Sequence, residues 1–221
     1  MANVIIETAS INLKEAKKLI ESGIDINKKE DDGSTILMFA AEYGYSDFVR
    51  LLLNKAADVN AKEKNGMTAL MLATLHHYPT IVKMLLEQGA DVNAQSISGA
   101  TALMIAALKG YSDITKLLIS AGADVNVKSQ YESTALMFAA EYGYSDIVDL
   151  LIRAGANVNV KFADGWTALM VATLQGNIDI VRLLLKAGAR AHVQCKDGGS
   201  ALQFAIHKKY YAIAKLLRNA N

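Results

Sequence analysis

A single cysteine, Cys195, excludes an internal disulfide framework and is compatible with a reducing compartment. Neither sign of charge is in excess: 23 Lys and Arg face 22 Asp and Glu, so no long-range field draws in nucleic acid or an anionic membrane surface. No stretch approaches the roughly 20 apolar residues that a membrane-spanning helix needs. The opening MANVIIETASINLKEAKK lacks the basic flank and apolar run of a secretory signal, and a soluble, cytoplasmic chain is expected. Glycine never clusters into a phosphate-cradling loop; it comes singly at a fixed interval, as turns and caps do. Against these absences stand 52% apolar and 20% charged residues, enough for a continuous core.

The fixed interval is 33 residues. Thr35, Thr68, Thr101, Thr134, Thr167 and then Ser200 share one slot. Leu37, Leu70, Leu103, Leu136, Leu169 and Leu202 follow two residues later, and Ala40, Ala73, Ala106, Ala139, Ala172 and Ala205 five residues later. A hydroxyl residue is a good N-cap, and Leu and Ala three apart share one face of the short helix that follows, helix A. A second apolar set, such as Phe48, Leu51 and Leu52 or Ile147, Leu150 and Leu151, has the i, i+3, i+4 spacing of an amphipathic helix B. Gly44, Gly110, Gly143 and Gly176 lie between the two, where a helix C-terminus can take positive φ, so A and B are predicted to form an antiparallel hairpin. Segments such as GADVNAQ (89–95) and GANVNVK (155–161), with a turn glycine two residues before the next Thr, predict an extended loop projecting between units.

Helix A reads T-A-L-M-x-A, which resembles the T-P-L-H-x-A of ankyrin repeats. The departures are Ala or Ile for Pro, and Met38, Met71, Met104, Met137, Met170 and Gln203 for His. The resemblance spans essentially the whole chain, and the TALM units look like those of many prokaryotic ankyrin proteins. It implies an all-α repeat solenoid of helix-turn-helix units with a projecting β-turn or hairpin loop, forming one ankyrin repeat domain over 1–221. Repeats are expected at 30–62, 63–95, 96–128, 129–161 and 162–194, between an N-terminal capping repeat at 1–29 and a C-terminal capping repeat at 195–221. The first cap is expected to carry a short helix A around Met1 to Ala9 and a helix B with its loop over Asn12 to Asn27; Arg218 gives the last unit a polar outer face. A longer period is superimposed: STALMFAAEYGYSDIV of repeat 4 nearly copies STILMFAAEYGYSDFV of repeat 1, and TALMVATL echoes TALMLATL, so a three-repeat block is duplicated.

Evenly spaced methionines could suggest a soft-metal site or an oxidation sensor, but each lies between the core Leu and Ala of helix A, which assigns them to packing between repeats. His76 and His77 are adjacent in sequence and have no third ligand at metal-site spacing. His77 replaces the inter-helix glycine and Pro79 starts helix B, an altered loop that could shape one binding contact. Cys195, beside Lys196, has no base and no orienting partner. Asn27, Asn60, Asn93, Asn126 and Asn159 share a loop slot where the amide can bond nearby backbone; the resemblance also allows hydroxylation there. No catalytic residue, metal or cofactor is expected. Glu132 replaces a turn glycine, and a Glu at positive φ is strained, so a changed turn type or local mobility is expected at that hairpin.

In the ankyrin architecture the loop tips and the exposed side of helix A line a groove, with helix B opposite. Slots read on that frame nominate Tyr43, Met67, Leu75, His76, Ile97, Leu108, Lys109, Tyr131, Tyr142, Phe162, Trp166, Leu174 and Gln175 as protein-binding residues. Broad apolar patches seldom face water, and Trp and Tyr are typical interface anchors; Leu75, Leu108 and Leu174 could instead lean into the neighbouring repeat. Lys29, Lys62, Lys128 and Lys161 recur at the loop bases as a solvated face that would steer encounter rather than supply affinity. The expected function is a non-catalytic adaptor or regulatory subunit that grips a folded protein in the groove of repeats 2 to 5, burying on the order of 800 Å² per partner. Nucleic acid and membrane are not expected as partners. A self-associating homo-oligomer and a secreted bacterial effector bound to a host protein are the alternatives.

Overall fold

A computed structural model describes residues 13–220. It begins with α1 (Leu13–Glu21), a helix B; the expected helix A around Met1 to Ala9 lies outside the described residues. Five A/B pairs follow: α2 (Ile36–Glu42) with α3 (Ser46–Asn54), α4 (Ala69–Leu75) with α5 (Pro79–Glu87), α6 (Ala102–Lys109) with α7 (Ser112–Ser120), α8 (Ala135–Tyr142) with α9 (Ser145–Arg153), and α10 (Ala168–Leu174) with α11 (Ile178–Lys186). A last pair, α12 (Ala201–His207) and α13 (Tyr211–Arg218), ends the array. Among the described residues the only β pairing is an isolated bridge between Gln194 and Ser200.

Each helix A starts where the repeated hydroxyl lies. Oγ1 of Thr35 accepts from Met38 N–H at 3.4 Å, and Thr68, Thr101 and Thr167 repeat the bond, as does the hydroxyl of Ser200 with Gln203 N–H. Such a cap satisfies one of the orphan N–H groups of the first turn. Behind it, Leu37, Met38 and Ala40 and their equivalents in the next four repeats are buried, so the methionines are core residues. Helices of seven or eight residues are marginal alone; here they are held by stacking. Successive helices A pack side by side, more extensively than successive helices B do.

The joint between A and B demands a left-handed residue. Gly44, Gly110, Gly143 and Gly176 take φ between +76° and +82°, and His77 (+59°) and Lys209 (+61°) occupy the same slot. At Gly44 there is a second reason for glycine: an added Cβ would lie 2.6 Å from the Tyr78 ring of the next repeat. Where His77 replaces it, the imidazole stacks on Tyr111 instead (centroids 4.1 Å apart), and Nε2 lies 3.1 and 3.2 Å from the two carboxylate oxygens of Asp113.

Between units, the asparagine slot works as a molecular staple. Asn60 Oδ1 accepts from Asp91 N–H at 2.7 Å while its Nδ2 donates to Gly89 O at 3.1 Å, and Asn126 and Asn159 make the same pair of bonds to the following loop. The loop-base slot adds a parallel tie: Lys29 Nζ donates to Lys62 O, Lys62 Nζ to Gln95 O, and Gln95 Nε2 to Lys128 O. These lysines are exposed, as expected of a solvated face, but Lys29 and Lys62 also join one repeat to the next.

The expectation for Glu132 is overturned. Glu132 adopts φ +60° and donates its N–H to Ser129 O at 3.0 Å, as Gly99 does to Ser96 O at 2.9 Å, so the turn is regular. Its side chain pairs with Lys128. The changed turn is one repeat later, where Asp164 (φ +60°) and Gly165 (φ +81°) are both left-handed within a 3₁₀ turn at Ala163–Gly165.

Candidate protein-binding groove

The loop tips are zipped by backbone bonds. Lys64 N–H donates to Asp32 O, Ile97 N–H to Asn65 O, Gln130 N–H to Ser98 O and Lys196 N–H to Asp164 O, each at 2.8 to 3.0 Å. Ala163 N–H makes no corresponding bond to Tyr131 O. This gap explains why Glu132 is tolerated: at Gly66 and Gly99 an added Cβ would come within 2.9 and 2.8 Å of the next tip's backbone nitrogen, an approach that the fourth tip does not make. Tyr131, on that tip, is 73% exposed.

The nominated residues divide into three groups. Tyr43, Ile97, Tyr131 and Tyr142 are more than half exposed, and they account for four of the six large hydrophobic side chains exposed among the described residues. His76, Lys109 and Gln175 are exposed polar members of the Tyr43 slot. Met67, Leu75, Leu108, Phe162, Trp166 and Leu174 are partly buried, with Met67, Leu75, Phe162 and Trp166 packed on the core. Trp166 in particular stacks on Phe204 of the last pair at 4.9 Å and 5°, so much of its ring is engaged within the fold.

One slot escaped the reading of the sequence. Phe39, Leu72, Phe138 and Val171 lie between the buried Met and Ala of helix A yet remain partly exposed. The signal was available: Phe39 and Tyr43, like Phe138 and Tyr142, are i, i+4 neighbours and share a helix face. Glu42, three residues after Phe39, adds a carboxylate to that face; its Oε1 lies 3.9 Å from His76 Nε2.

Electrostatics elsewhere is local. Burial pushes the Asp113 carboxyl up, but the bonds from His77 and from Ile114 N–H outweigh it and hold the group below its ordinary value of 3.8. Hydrogen bonding to Ser34 lowers Asp32, and the Asp164 carboxylate raises Lys196. Among the described residues no three His, Cys, Asp or Glu side chains gather where they could hold a metal ion, and no helix is long and apolar enough to cross a membrane. Cys195 is buried.

Comparison with known proteins agrees with this geometry. The family model for ankyrin repeats (3 copies) matches residues 6–96, 94–162 and 136–221. An ankyrin repeat domain from Acinetobacter baumannii AYE is 38% identical, with a TM-score of 0.79 over 83% of this chain and 96% of that one. The ankyrin repeat domain of Bcl-3, a member of the IκB protein family, is 27% identical, with a TM-score of 0.85 over 97% of each chain. No curated protein matches in sequence. Ankyrin repeat domains are generally protein–protein interaction modules and typically non-catalytic. With capped helix pairs at a constant period, a backbone-zipped row of loop tips and a family match along nearly its whole length, this chain belongs to the ankyrin repeat family.

Proposed function

We propose that this protein is a non-catalytic adaptor or regulatory subunit that holds a folded cytoplasmic protein against its loop tips and helices A. The observation that carries the reading is the placement of exposed large side chains: Ile97 and Tyr131 on the tips and Tyr43 and Tyr142 at the ends of helices A. Broad apolar patches seldom face water on a monomer, and Tyr is a typical anchor when an interface covers it. The rigid stacking described above supports recognition by a preformed surface, which avoids the ordering cost of a flexible one. Trp166 contributes through the shape of the fifth loop rather than as a free anchor.

The test is capture from native lysate with wild-type protein, a groove variant (Tyr43→Ala, Tyr131→Ala, Tyr142→Ala) and a helix B variant (Arg50→Ala, Lys83→Ala, Lys116→Ala), with bound proteins quantified by mass spectrometry. A stoichiometric protein retained by the wild type and the helix B variant but lost by the groove variant is the expected result. Loss only with the helix B variant would move the interface to the opposite face.

A further inference from the structure

The duplicated three-repeat block places two matching stations on the helix A side, and their likeness exceeds what the fold requires. Residues 37–47 and 136–146 are identical, LMFAAEYGYSD in both. Packing accounts for the buried members, but not for Glu42 and Tyr43 or Glu141 and Tyr142. Other repeats fill the tyrosine slot with His76, Lys109, Gln175 and Lys208, and the glutamate slot with Leu75, Leu108, Leu174 and His207, while keeping the same backbone. Exposed positions outside the station have diverged between the two blocks: Asn54 against Arg153, Lys55 against Ala154, Lys64 against Ala163. The geometry is reproduced as well. Tyr43 and Tyr142 are 55% and 54% exposed, and their rings lie 6.1 and 6.4 Å from those of Tyr45 and Tyr144.

We infer that the groove takes an extended segment projecting from the folded partner and bearing two arginine-containing motifs about nine residues apart, one at each station; this rests on the protein-binding reading above. Each station carries an exposed Tyr whose ring stacks on a second Tyr, the carboxylate of the preceding Glu, and Phe39 or Phe138 one turn earlier on the tyrosine's side of the helix. A guanidinium can stack on the ring and pair with the carboxylate at once, which an ammonium does less well, and the Phe accommodates an adjacent apolar side chain. Three repeat steps at an interhelix spacing of about 8–10 Å separate the stations by about 24–30 Å. A polyproline-type or extended chain rising about 3.1–3.3 Å per residue spans that in eight or nine residues. The stations repeat head to tail, whereas a two-fold dimer presents its two sites in opposed orientations, so one chain with tandem motifs fits and a symmetric dimer does not. Lys109 lies in the same slot between the stations and disfavours a cationic spacer.

Fluorescence anisotropy with labelled Leu-Arg-(Pro)n-Leu-Arg peptides, n being about 3, 7 or 11 from the polyproline rise, tests this against a single-motif peptide of equal length. The middle spacer should bind about tenfold or more tightly than the other spacers and the single motif, as linked sites do when the linker matches the span. Tyr43→Gln and Tyr142→Gln, each a residue already found in that slot, should both reduce it to the single-motif level. Equal affinity for all spacers, insensitivity to either substitution, or no binding overturns the inference. So does a doubling of the free protein's mass that Tyr43→Gln abolishes, because a second copy would then cover the face. If spacing has no effect while the lysate partner is still lost with the groove variant, the inference fails and the protein-binding reading stands; if the groove variant also keeps its partner, both fail.

Discussion

Gly99→Ala and Glu132→Gly change the same turn slot and should act with opposite sign. Gly99 has φ +75°, and an alanine Cβ there would lie 2.8 Å from Gln130 N, the donor in the bond to Ser98 O. An L-residue in the left-handed region costs about 1–2 kcal/mol, and the displaced tip bond adds about 0.5–1.5 kcal/mol, so a loss of about 2–3 kcal/mol is expected. At about 2–4 °C per kcal/mol for a chain of this size, Tm falls by roughly 4–12 °C. Glu132 already bears the left-handed strain at φ +60°, without the tip bond beyond it. Glycine there should return the same strain of about 1–2 kcal/mol and lose an exposed ion pair with Lys128 worth about 0–1 kcal/mol, leaving a change of about 0–2 kcal/mol in favour of the variant. Thermal unfolding followed by circular dichroism at a helix band measures both. Equal effects of one sign, or a Gly99→Ala protein as stable as the wild type, would refute the argument that tip-to-tip approach dictates glycine in this slot.

Four further outcomes follow from particular contacts. Thr74 and Thr173 bury hydroxyls with no hydrogen-bond partner where other repeats have Ala41, Ala107 and Ala140; Thr74→Ala should raise stability by up to about 1 kcal/mol, the relief of an unpaired hydroxyl less a lost methyl, and a fall above that size in urea unfolding would contradict it. Asn60→Ala removes two inter-repeat bonds and should cost about 1–3 kcal/mol by the same assay, with a loss below about 0.5 kcal/mol counting against the staple. Trp166→Ala should lower Tm by removing the Phe204 stack, whereas Tyr131→Ala should stay within about 0.5 kcal/mol of the wild type; the reverse order would place the fourth tip in the fold and the fifth in solvent. A depressed carboxylate such as Asp113 contributes stability that is present above its unfolded value near 3.8 and is lost as pH falls through its lower folded value. His77→Gly removes the imidazole bond, so an NMR titration should show the Asp113 midpoint rising toward 3.8, and an unmoved midpoint would contradict the assignment.

The helices and their order were legible because hydroxyl caps, apolar spacing and glycine joints coincide at one period, and each stands for a local requirement of the backbone. The asparagine slot was legible as a backbone-bonding position, but not its reach into the following repeat, because that depends on how close the loops stack. Glu132 misled for a related reason: left-handed strain is local and visible in sequence, whereas the missing bond between Tyr131 and Ala163 that makes room for a side chain is not. Exposure at Tyr43 and Tyr142 follows from their slot, while the engagement of Trp166 depends on Phe204, 38 residues away in the chain. Phe39 and Phe138 went unread because the surrounding Leu, Met and Ala made the whole of helix A look buried, although their i, i+4 relation to the tyrosines marked the opposite face.

The most direct measurement of the central claim is site-specific photo-cross-linking in cells, with a photoreactive phenylalanine analogue placed in turn at positions 43, 142 and 50. Positions 43 and 142 should each cross-link to the same partner protein and position 50 to none. Cross-links from position 50 alone, or products from 43 and 142 that contain only this chain, would contradict it.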